Sequence, residues 1–315
     1  MQPKVINLRA RLEPDDNQLD RLAPGRALCS VVMVESTVPP TRVTLSPTGP
    51  RSLRMRLEGL ALNMEPFRLP VLDGVVRSAT LSEQARPSAA LLEIEADFPP
   101  RELHPRLELA ADLPVRTRLI LSREPLRRVM AGRRIAIDPA HGGRDRGARG
   151  PINLQESQVV LALARLFARE LEEAGAHPLL LRDADNGPPA HARMKAAAAW
   201  GAEAVVVLHT GHETDPGHRG TRTLFGPDLP ASAALARCIH RELLERLGLP
   251  DRGVGNLTTT PAPCSPACPV VAVEPVCVAN PLEEALLRSK EFRLRIARAL
   301  RNGIARHVAG ERARG

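Results

Sequence analysis

Aromatic residues are scarce in this sequence of 315 residues, which has one Trp, five Phe and no Tyr. The hydrophobic cores must therefore be built mainly from aliphatic side chains. The scarcity also argues against nucleic acid, because proteins that bind unpaired bases stack them on aromatic rings. Since the arginines are scattered along the chain rather than collected into one run, we expect no nucleic-acid partner.

Long apolar runs are missing as well. The first residues, MQPKVINLRARLEPDD, lack the apolar stretch and cleavage site of a secretory signal, and no later run is long enough to cross a bilayer. We therefore expect no transmembrane segment, and no signal peptide is visible in the chain. The five cysteines are an odd number, so they form no complete disulfide framework and decide no compartment.

Positive charge, in contrast, is in excess. The formal net charge is +8, from 44 Lys and Arg against 36 Asp and Glu. Such a balance favours anionic partners, which include nucleic acid, anionic lipid and the acidic polymers of a cell wall. Charge alone does not choose among these three classes.

Short β-prone runs fill the chain from about residue 27 to residue 122. The runs are ALCSVVMV, TRVTLS, SLRMRLEGLAL, DGVVRSATL, AALLEIEA, RLELAA and VRTRLILS. Apolar residues alternate at Leu53, Met55 and Leu57, and the spacing predicts a small antiparallel β-sandwich over residues 20–124. The basic stretch 124–134 is weakly patterned, and we expect the domain boundary there.

Strands and helices alternate after this boundary. Predicted strands are RIAID, HPLLLR, AEAVVVLH, GTRTLF and VVAVE, and predicted helices cover SQVVLALARLFARELEEAG, AHARMKAAAAWG, ASAALARCIHRELLERLG and a last segment from about Leu282 to Val308. In the first helix Val160, Leu163, Phe167 and Leu171 follow helical spacing. The pattern predicts an α/β domain over residues 133–310, with a mixed, largely parallel central sheet flanked by helices.

Four residues that could carry chemistry stand at the ends of these elements. His141 follows the first strand, His209 closes the third, Glu274 closes the last, and Glu156 stands just before the first long helix. In α/β sheets, functional groups gather at the carboxyl ends of the strands. Two histidines and one carboxylate with an open fourth position form a known catalytic zinc set, and Glu274 could then move protons during hydrolysis.

Each of these residues also has a structural interpretation. His141 could be a polar loop residue and His209 a buried core histidine. Glu156 has the spacing of a capping-box partner for Asn153 at a helix N-terminus. A glutamate at the position of Glu274 is expensive to bury unless it is paired or near a metal. The convergence of all four on one sheet edge favours the metal site.

Other histidines and cysteines are set aside. Five histidines are expected in solvated loops or at helix edges: His177, His191, His212, His218 and His240. Cys264 and Cys268, with Cys277 nearby, lack a clear fourth ligand for a second metal. A loop disulfide and unpaired buried thiols both stay open for them.

Residues from about 134 to 309 resemble the catalytic domain of the zinc-dependent N-acetylmuramoyl-L-alanine amidases of the amidase 3 type. The matching motifs are DPAHGGRDRGARG, LQESQVVLALA, VVVLHTG and VAVEPVCVANPLEEALL, with LRDAD, Arg193, GTRTLF and DRGV as further matches. The resemblance implies one zinc ion bound by His141, Glu156 and His209, with Glu274 as the catalytic glutamate. It implies hydrolysis of the amide between N-acetylmuramic acid and L-alanine in peptidoglycan, for cell-wall remodelling and daughter-cell separation.

The sequence departs from the family pattern beside the site. Ala140 stands where glycine is usual, Leu208, Thr210 and Gly211 replace common neighbours of the second histidine, and Pro275-Val276-Cys277 replaces a usual valine-glycine-phenylalanine. None of these changes removes a ligand or the catalytic glutamate. Two alternatives follow: a peptidoglycan-binding protein with impaired catalysis, and a zinc peptidase or deacylase that acts on another amide.

The first domain resembles the AMIN sandwich that often precedes these catalytic domains, which implies a module that targets the cell wall. The family works in the periplasm or outside the cell, so we expect the same location and peptidoglycan as partner. An activator protein, if one is required, is unknown. The compact connection from His209 to Glu274 predicts an open groove, without the inserted helix that blocks the site in some regulated members.

Overall fold

The computed structural model describes residues 3–14, 28–211, 217–226, 230–257 and 268–312. The chain divides into two compact units, residues 1–128 and residues 129–315. In the described part, no helix combines the length and the apolar character needed to cross a membrane.

The N-terminal unit is all-β apart from short helical turns. Its strands are β1 (Lys4–Pro14), β2 (Leu28–Ser36), β3 (Arg42–Gly49), β4 (Ser52–Glu58), β5 (Ala61–Leu62), β6 (Phe67–Pro70), β7 (Val76–Gln84), β8 (Ala89–Ala96), β9 (Arg106–Ala110) and β10 (Val115–Ser122). They form two five-stranded sheets, ordered β5-β1-β2-β10-β9 and β3-β4-β8-β7-β6. Leu53, Met55 and Leu57 are buried on β4, as their alternation predicts. The predicted all-β class is confirmed.

The first sheet begins earlier than the predicted domain start at residue 20. Strand β1 pairs antiparallel with β2 along most of its length, from Val5 to Pro14. The register shifts between Val5 and Asn7, so buried side chains fall at Val5 and Leu8 rather than at every second residue. This irregularity hides the strand from a search for strict alternation.

A short helix, α1 (Glu124–Met130), occupies most of the stretch 124–134 that we expected to be irregular. Leu126 and Met130 are almost fully buried on it, which gives the segment one apolar side. Spacing of four residues places these two side chains on the same helical face.

The C-terminal unit alternates strands and helices. Its elements are β11 (Arg134–Pro139), α2 (Glu156–Glu173), β12 (His177–Leu180), α3 (Ala190–Trp200), β13 (Ala204–Leu208), β14 (Thr221–Phe225), α4 (Pro230–Leu247), β15 (Asp251–Asn256), β16 (Val270–Glu274), α5 (Pro281–Arg288) and α6 (Lys290–Arg312). The sheet order is β12-β11-β13-β16-β14-β15. Among the described strands of this sheet, β14 and β16 pair antiparallel and the other neighbours pair parallel, so the predicted mixed, largely parallel sheet is confirmed.

Helix α2 buries the face predicted from its spacing, including Val160, Leu163, Phe167 and Leu171. The final helical segment differs from the prediction, because it consists of α5 and α6 rather than one helix. Ser289 between them has an extended backbone (φ −71°, ψ 123°), and its hydroxyl accepts a hydrogen bond from Phe292 N at 3.3 Å. Serine competes for backbone donors in this way, which makes it a natural start of a new helix.

Candidate active site

Strand register brings three predicted site residues to one edge of the sheet. Pro139 of β11 lies opposite Leu208 of β13, and Leu208 lies opposite Val273 of β16. His209 and Glu274 therefore leave adjacent parallel strands side by side, and His209 N donates a hydrogen bond to Val273 O at 3.0 Å. The loop that carries His141 starts at the same edge.

Glu156 reaches this edge from the first position of α2. Its side chain is 3% exposed, and both carboxylate oxygens accept backbone hydrogen bonds, Oε1 from Thr210 N at 2.8 Å and Oε2 from Ala148 N at 2.9 Å. The capping-box interpretation is wrong, because the N-cap residue is Gln155 and Asn153 instead takes a left-handed conformation (φ 68°) in the preceding turn.

The two histidines converge on this carboxylate. His141 Nε2 lies 3.3 Å from Glu156 Oε2, and His209 Nδ1 lies 3.2 Å from Glu156 Oε1. The ligand atoms of the three residues all lie within 4.8 Å of one another, and the described residues contain no other such group of three. The other ring nitrogen of His141 lies 2.8 Å from Asp145 Oδ2.

The electrostatics favour an anion at Glu156. Burial raises the pKa of this carboxyl, but hydrogen bonds from His141, His209 and the two backbone amides outweigh it and hold the pKa well below its usual value. The hydrogen bond to Glu156 raises the pKa of His141 to about 9, although burial opposes the shift and Asp145 adds to it. The cluster is thus a charged carboxylate held by donors, and a metal ion that binds here has to displace the proton between His141 and Glu156.

The donor set fits a zinc ion. Two imidazole nitrogens and one carboxylate oxygen are a ligand set that catalytic zinc uses. With one ligand atom from each residue, the three atoms all lie within 4.8 Å of one another, which brings them close enough to share one ion. Asp145 supplies the carboxylate that commonly orients a metal-binding histidine from its other side.

A pocket of about 490 Å³ opens beside the cluster and includes Glu274 in its wall. His141, His209 and Asp145 line the same pocket, together with an apolar wall that consists of Pro188, Pro189, Val207, Leu224, Leu257 and Ala272. The structure therefore places His141, His209 and Glu274 around one space, and the buried Glu156 lies within hydrogen-bonding distance of both histidines. The open-groove prediction stays a prediction, because parts of the connection from His209 to Glu274 lie outside the described residues.

Arg252 lies close to Glu274, with its Nη1 atom 3.7 Å from Glu274 Oε2. Gly211 makes room for this arginine, because a Cβ at position 211 would stand 2.7 Å from Arg252 Nη1. The glycine is one of the departures from the family pattern beside His209.

An ion pair in the pocket wall was missed by the site prediction. Arg193 Nε lies 2.6 Å from Asp138 Oδ1, with the two side chains only 10% and 1% exposed. Burial raises the pKa of Asp138, and the charge of Arg193 opposes that shift. Arg193 is a family match in the sequence, but only the fold shows that it pairs with a carboxylate at the end of β11.

The histidines that were set aside lie outside the cluster where they are described. His177, His191 and His218 are exposed, and His212 lies outside the described residues. The prediction for His240 is wrong, because this residue of α4 is 6% exposed and bonds Thr223 Oγ1 and Asp251 Oδ1 at 3.1 Å and 2.9 Å. Cys264 also lies outside the described residues, and Cys268 and Cys277 are buried.

Comparison with known proteins agrees with this geometry. The profile of the N-acetylmuramoyl-L-alanine amidase family matches residues 135–306, which is more than half of the chain. The chain belongs to this family. Amidase AmiC of Neisseria meningitidis is 27% identical over 56% of this chain and 53% of its own length, and AmiA of Salmonella typhimurium is 30% identical over 55% and 75%. The chain thus spans about half the length of the first relative.

Solved structures give the same result for the C-terminal unit. Amidase AmiC2 of Nostoc punctiforme superposes with a TM-score of 0.53 at 27% identity, over 57% of this chain and 99% of that one. The catalytic domain of the amidase CwlV from Paenibacillus polymyxa gives 0.52 at 26% identity, over 56% and 98%. Almost the whole of each amidase domain therefore has its counterpart in this family member.

Proposed function

We propose that the chain is a zinc-dependent N-acetylmuramoyl-L-alanine amidase, which hydrolyses the amide between N-acetylmuramic acid and L-alanine in peptidoglycan. The observation that carries the proposal is the convergence of His141, Glu156 and His209 beside a pocket that also contains Glu274. Family membership supports the substrate. One zinc ion is the proposed cofactor, bound by the two histidines and Glu156.

Zinc, when bound, supplies Lewis acidity that activates water and polarises a carbonyl group. The residues of the chain do the rest. Glu274 accepts the proton of the attacking water on its carboxylate and returns a proton to the departing amine of alanine. Asp145 holds the imidazole of His141 in one orientation, and the amides of Ala148 and Thr210 hold the Glu156 carboxylate.

The pocket walls suit a substrate that is partly apolar and partly charged. Apolar side chains such as Val207 and Leu224 can pack against methyl groups, while the Arg193–Asp138 ion pair adds polar groups to the wall. Arg144 and Arg149 are exposed on the loop between His141 and Glu156. These charges favour approach of an acidic wall polymer, particularly at low ionic strength.

The proposal extends to the whole protein. By family membership the enzyme acts on cell-wall peptidoglycan in the periplasm or outside the cell, in wall remodelling and separation of daughter cells. The N-terminal β-unit, residues 20–124 in the sequence prediction, is proposed as an AMIN-like module that holds the catalytic unit, residues 133–310, on the wall.

The test is peptide release from purified peptidoglycan, with zinc present, by the unsubstituted chain, Glu274→Gln and Glu291→Gln. Glu291 is an exposed glutamate in the first turn of α6, so its variant is a matched control that should keep full activity. Loss of the proton carrier in Glu274→Gln should lower the rate by about 10²- to 10⁴-fold.

Mass spectrometry of the products separates the alternatives. Free stem peptides that begin with alanine support the amidase. Zinc and peptidoglycan binding without any cleavage would identify a non-catalytic wall-binding protein, and cleavage of other amides alone would identify a zinc peptidase or deacylase.

A further inference from the structure

Helix α5 contains a fully buried glutamate to which the proposed reaction gives no task. Glu284 is 0% exposed, its Oε2 accepts a hydrogen bond from Ile152 N at 2.6 Å, and its Oε1 accepts one from Leu154 N at 2.7 Å. Arg288 Nη2 lies 3.1 Å from Oε1. Burying a carboxylate is costly unless partners of this kind compensate it, so the arrangement must be maintained by its contacts with the loop.

The loop that contains Ile152 and Leu154 leads directly to Glu156, a ligand of the proposed zinc site. Its turn is closed by a hydrogen bond from Gly150 N to Leu154 O at 2.9 Å, and Leu154 stands two residues before Glu156. Gly150 lies directly against the Glu284 carboxyl group, since a Cβ at position 150 would stand 2.4 Å from Glu284 Cδ. The loop is therefore shaped around this carboxylate.

The first turn of α5, which carries Glu284, is also fixed to the segment that follows Glu274. Asn280 caps the helix and accepts hydrogen bonds from Leu282 N and Glu283 N at 3.1 Å and 3.2 Å. Glu283 Oε2 accepts a hydrogen bond from Cys277 N at 2.7 Å. Helix α5 thus connects the end of β16 with the loop that delivers Glu156.

We propose that Glu284 is a positioning residue that sets the affinity of the site for its metal. By holding Ile152 and Leu154, it fixes the start of α2 so that the Glu156 carboxylate faces His141 and His209. Glu284 itself does not contact the three ligands. This inference rests on the proposed zinc site, but it concerns how tightly the site binds rather than which bond is cleaved.

The test compares zinc dissociation constants of the unsubstituted chain, Glu284→Gln and Glu170→Gln, by competition with a chromophoric chelator well below the melting temperature. An amide at position 284 keeps the size of the side chain but presents an NH₂ group to one of the two backbone donors. Loss of a group that hydrogen-bonds a ligand directly weakens metal binding by about 10- to 100-fold, and Glu284 acts one step further out, so we expect a loss of about 10-fold or less. Glu170 is the matched control, because it is 3% exposed on the same helix as Glu156 but pairs with Arg301 and Arg298.

We expect both variants to melt at lower temperature and only Glu284→Gln to lose zinc affinity. Unchanged affinity in Glu284→Gln, or an equal loss in Glu170→Gln, would overturn the inference. If Glu284→Gln does not fold, Arg288→Ala tests the inference instead. Arg288 is 46% exposed, so its replacement should leave the fold intact, and the loss of its contact with Glu284 should also weaken zinc binding. Failure of the unsubstituted chain to bind zinc would instead contradict the proposed metal site itself.

Discussion

Helix α2 carries two buried glutamates whose surroundings differ. Glu156 in its first turn faces two histidines and two backbone amides, whereas Glu170 near its end faces Arg298 at 3.0 Å and Arg301 at 2.5 Å. The arginines are permanent cations, so Glu170 forms ion pairs that join α2 to α6. The imidazoles can exchange a proton for a metal, which leaves Glu156 available for coordination.

Burial of a carboxylate does not by itself indicate a function in binding or catalysis, as these two glutamates show. Both residues are 3% exposed, and both lie on α2. What separates them is the chemistry of their partners and the pocket beside Glu156. Substitutions should therefore separate loss of metal from loss of stability.

The largest effect is expected for Glu156→Ala. This change removes a ligand, so zinc affinity should fall by more than the about 10- to 100-fold that outer-shell changes cost, and peptidoglycan hydrolysis should fall with it. Isothermal titration with zinc and a peptide-release assay check the result. Zinc binding as tight as in the unsubstituted chain would exclude Glu156 as a ligand.

Glu170→Ala should have the opposite profile. It removes the Glu170 carboxylate from its pair with Arg301, which is 1% exposed, and breaking a buried ion pair costs about 3–5 kcal/mol of unfolding free energy. Urea denaturation measures this loss, and zinc affinity below the transition should stay unchanged. A large loss of zinc affinity in the folded variant would mean that the two ends of α2 are coupled.

Gly147→Ala should damage the metal site at smaller cost to the fold. Gly147 has a left-handed backbone (φ 63°), and a Cβ there would stand 2.6 Å from His141 Cδ2 and 2.7 Å from Glu156 Oε2. Gly248→Ala is the matched control, with φ 65° and nothing within 4 Å. Both should lose about 1–2 kcal/mol from backbone strain, and only Gly147→Ala should bind zinc more weakly. Equal zinc affinities of the two variants would show that a Cβ at position 147 does not disturb His141 or Glu156.

The smallest effect is expected for Arg54→Ala in the N-terminal unit. Arg54 pairs with Glu93 at 2.5 Å, but both side chains are substantially exposed, at 45% and 32%. Water and salt screen such a pair, so thermal unfolding should report a loss of only about 0.2–1 kcal/mol. A loss as large as that of Glu170→Ala would show that burial is not what distinguishes these ion pairs.

The sequence pointed to these four residues because they stand at element ends. His209 and Glu274 close apolar strands, and parallel strands bring their carboxyl ends together whatever the rest of the fold does. The motif resemblance then implied the same roles for all four residues. Alternation and helical spacing were enough for the all-β and α/β classes of the two units.

The features that sequence reasoning missed depend on contacts between distant segments. Glu284 and the loop at Ile152 are separated by more than a hundred residues, so no local pattern can pair them. The Asp138–Arg193 pair and the burial of His240 against β14 and β15 also depend on contacts between different elements of the fold. Strand β1 was missed for a local reason, the register shift after Val5.

The central claim, that His141, Glu156 and His209 hold one zinc ion, is tested most directly by anomalous diffraction at the zinc edge from crystals grown with zinc. The account predicts one strong peak about 2.0–2.2 Å from His141 Nε2, His209 Nδ1 and a Glu156 carboxylate oxygen. A site without a peak, or a peak whose ligands do not include these three residues, would contradict it.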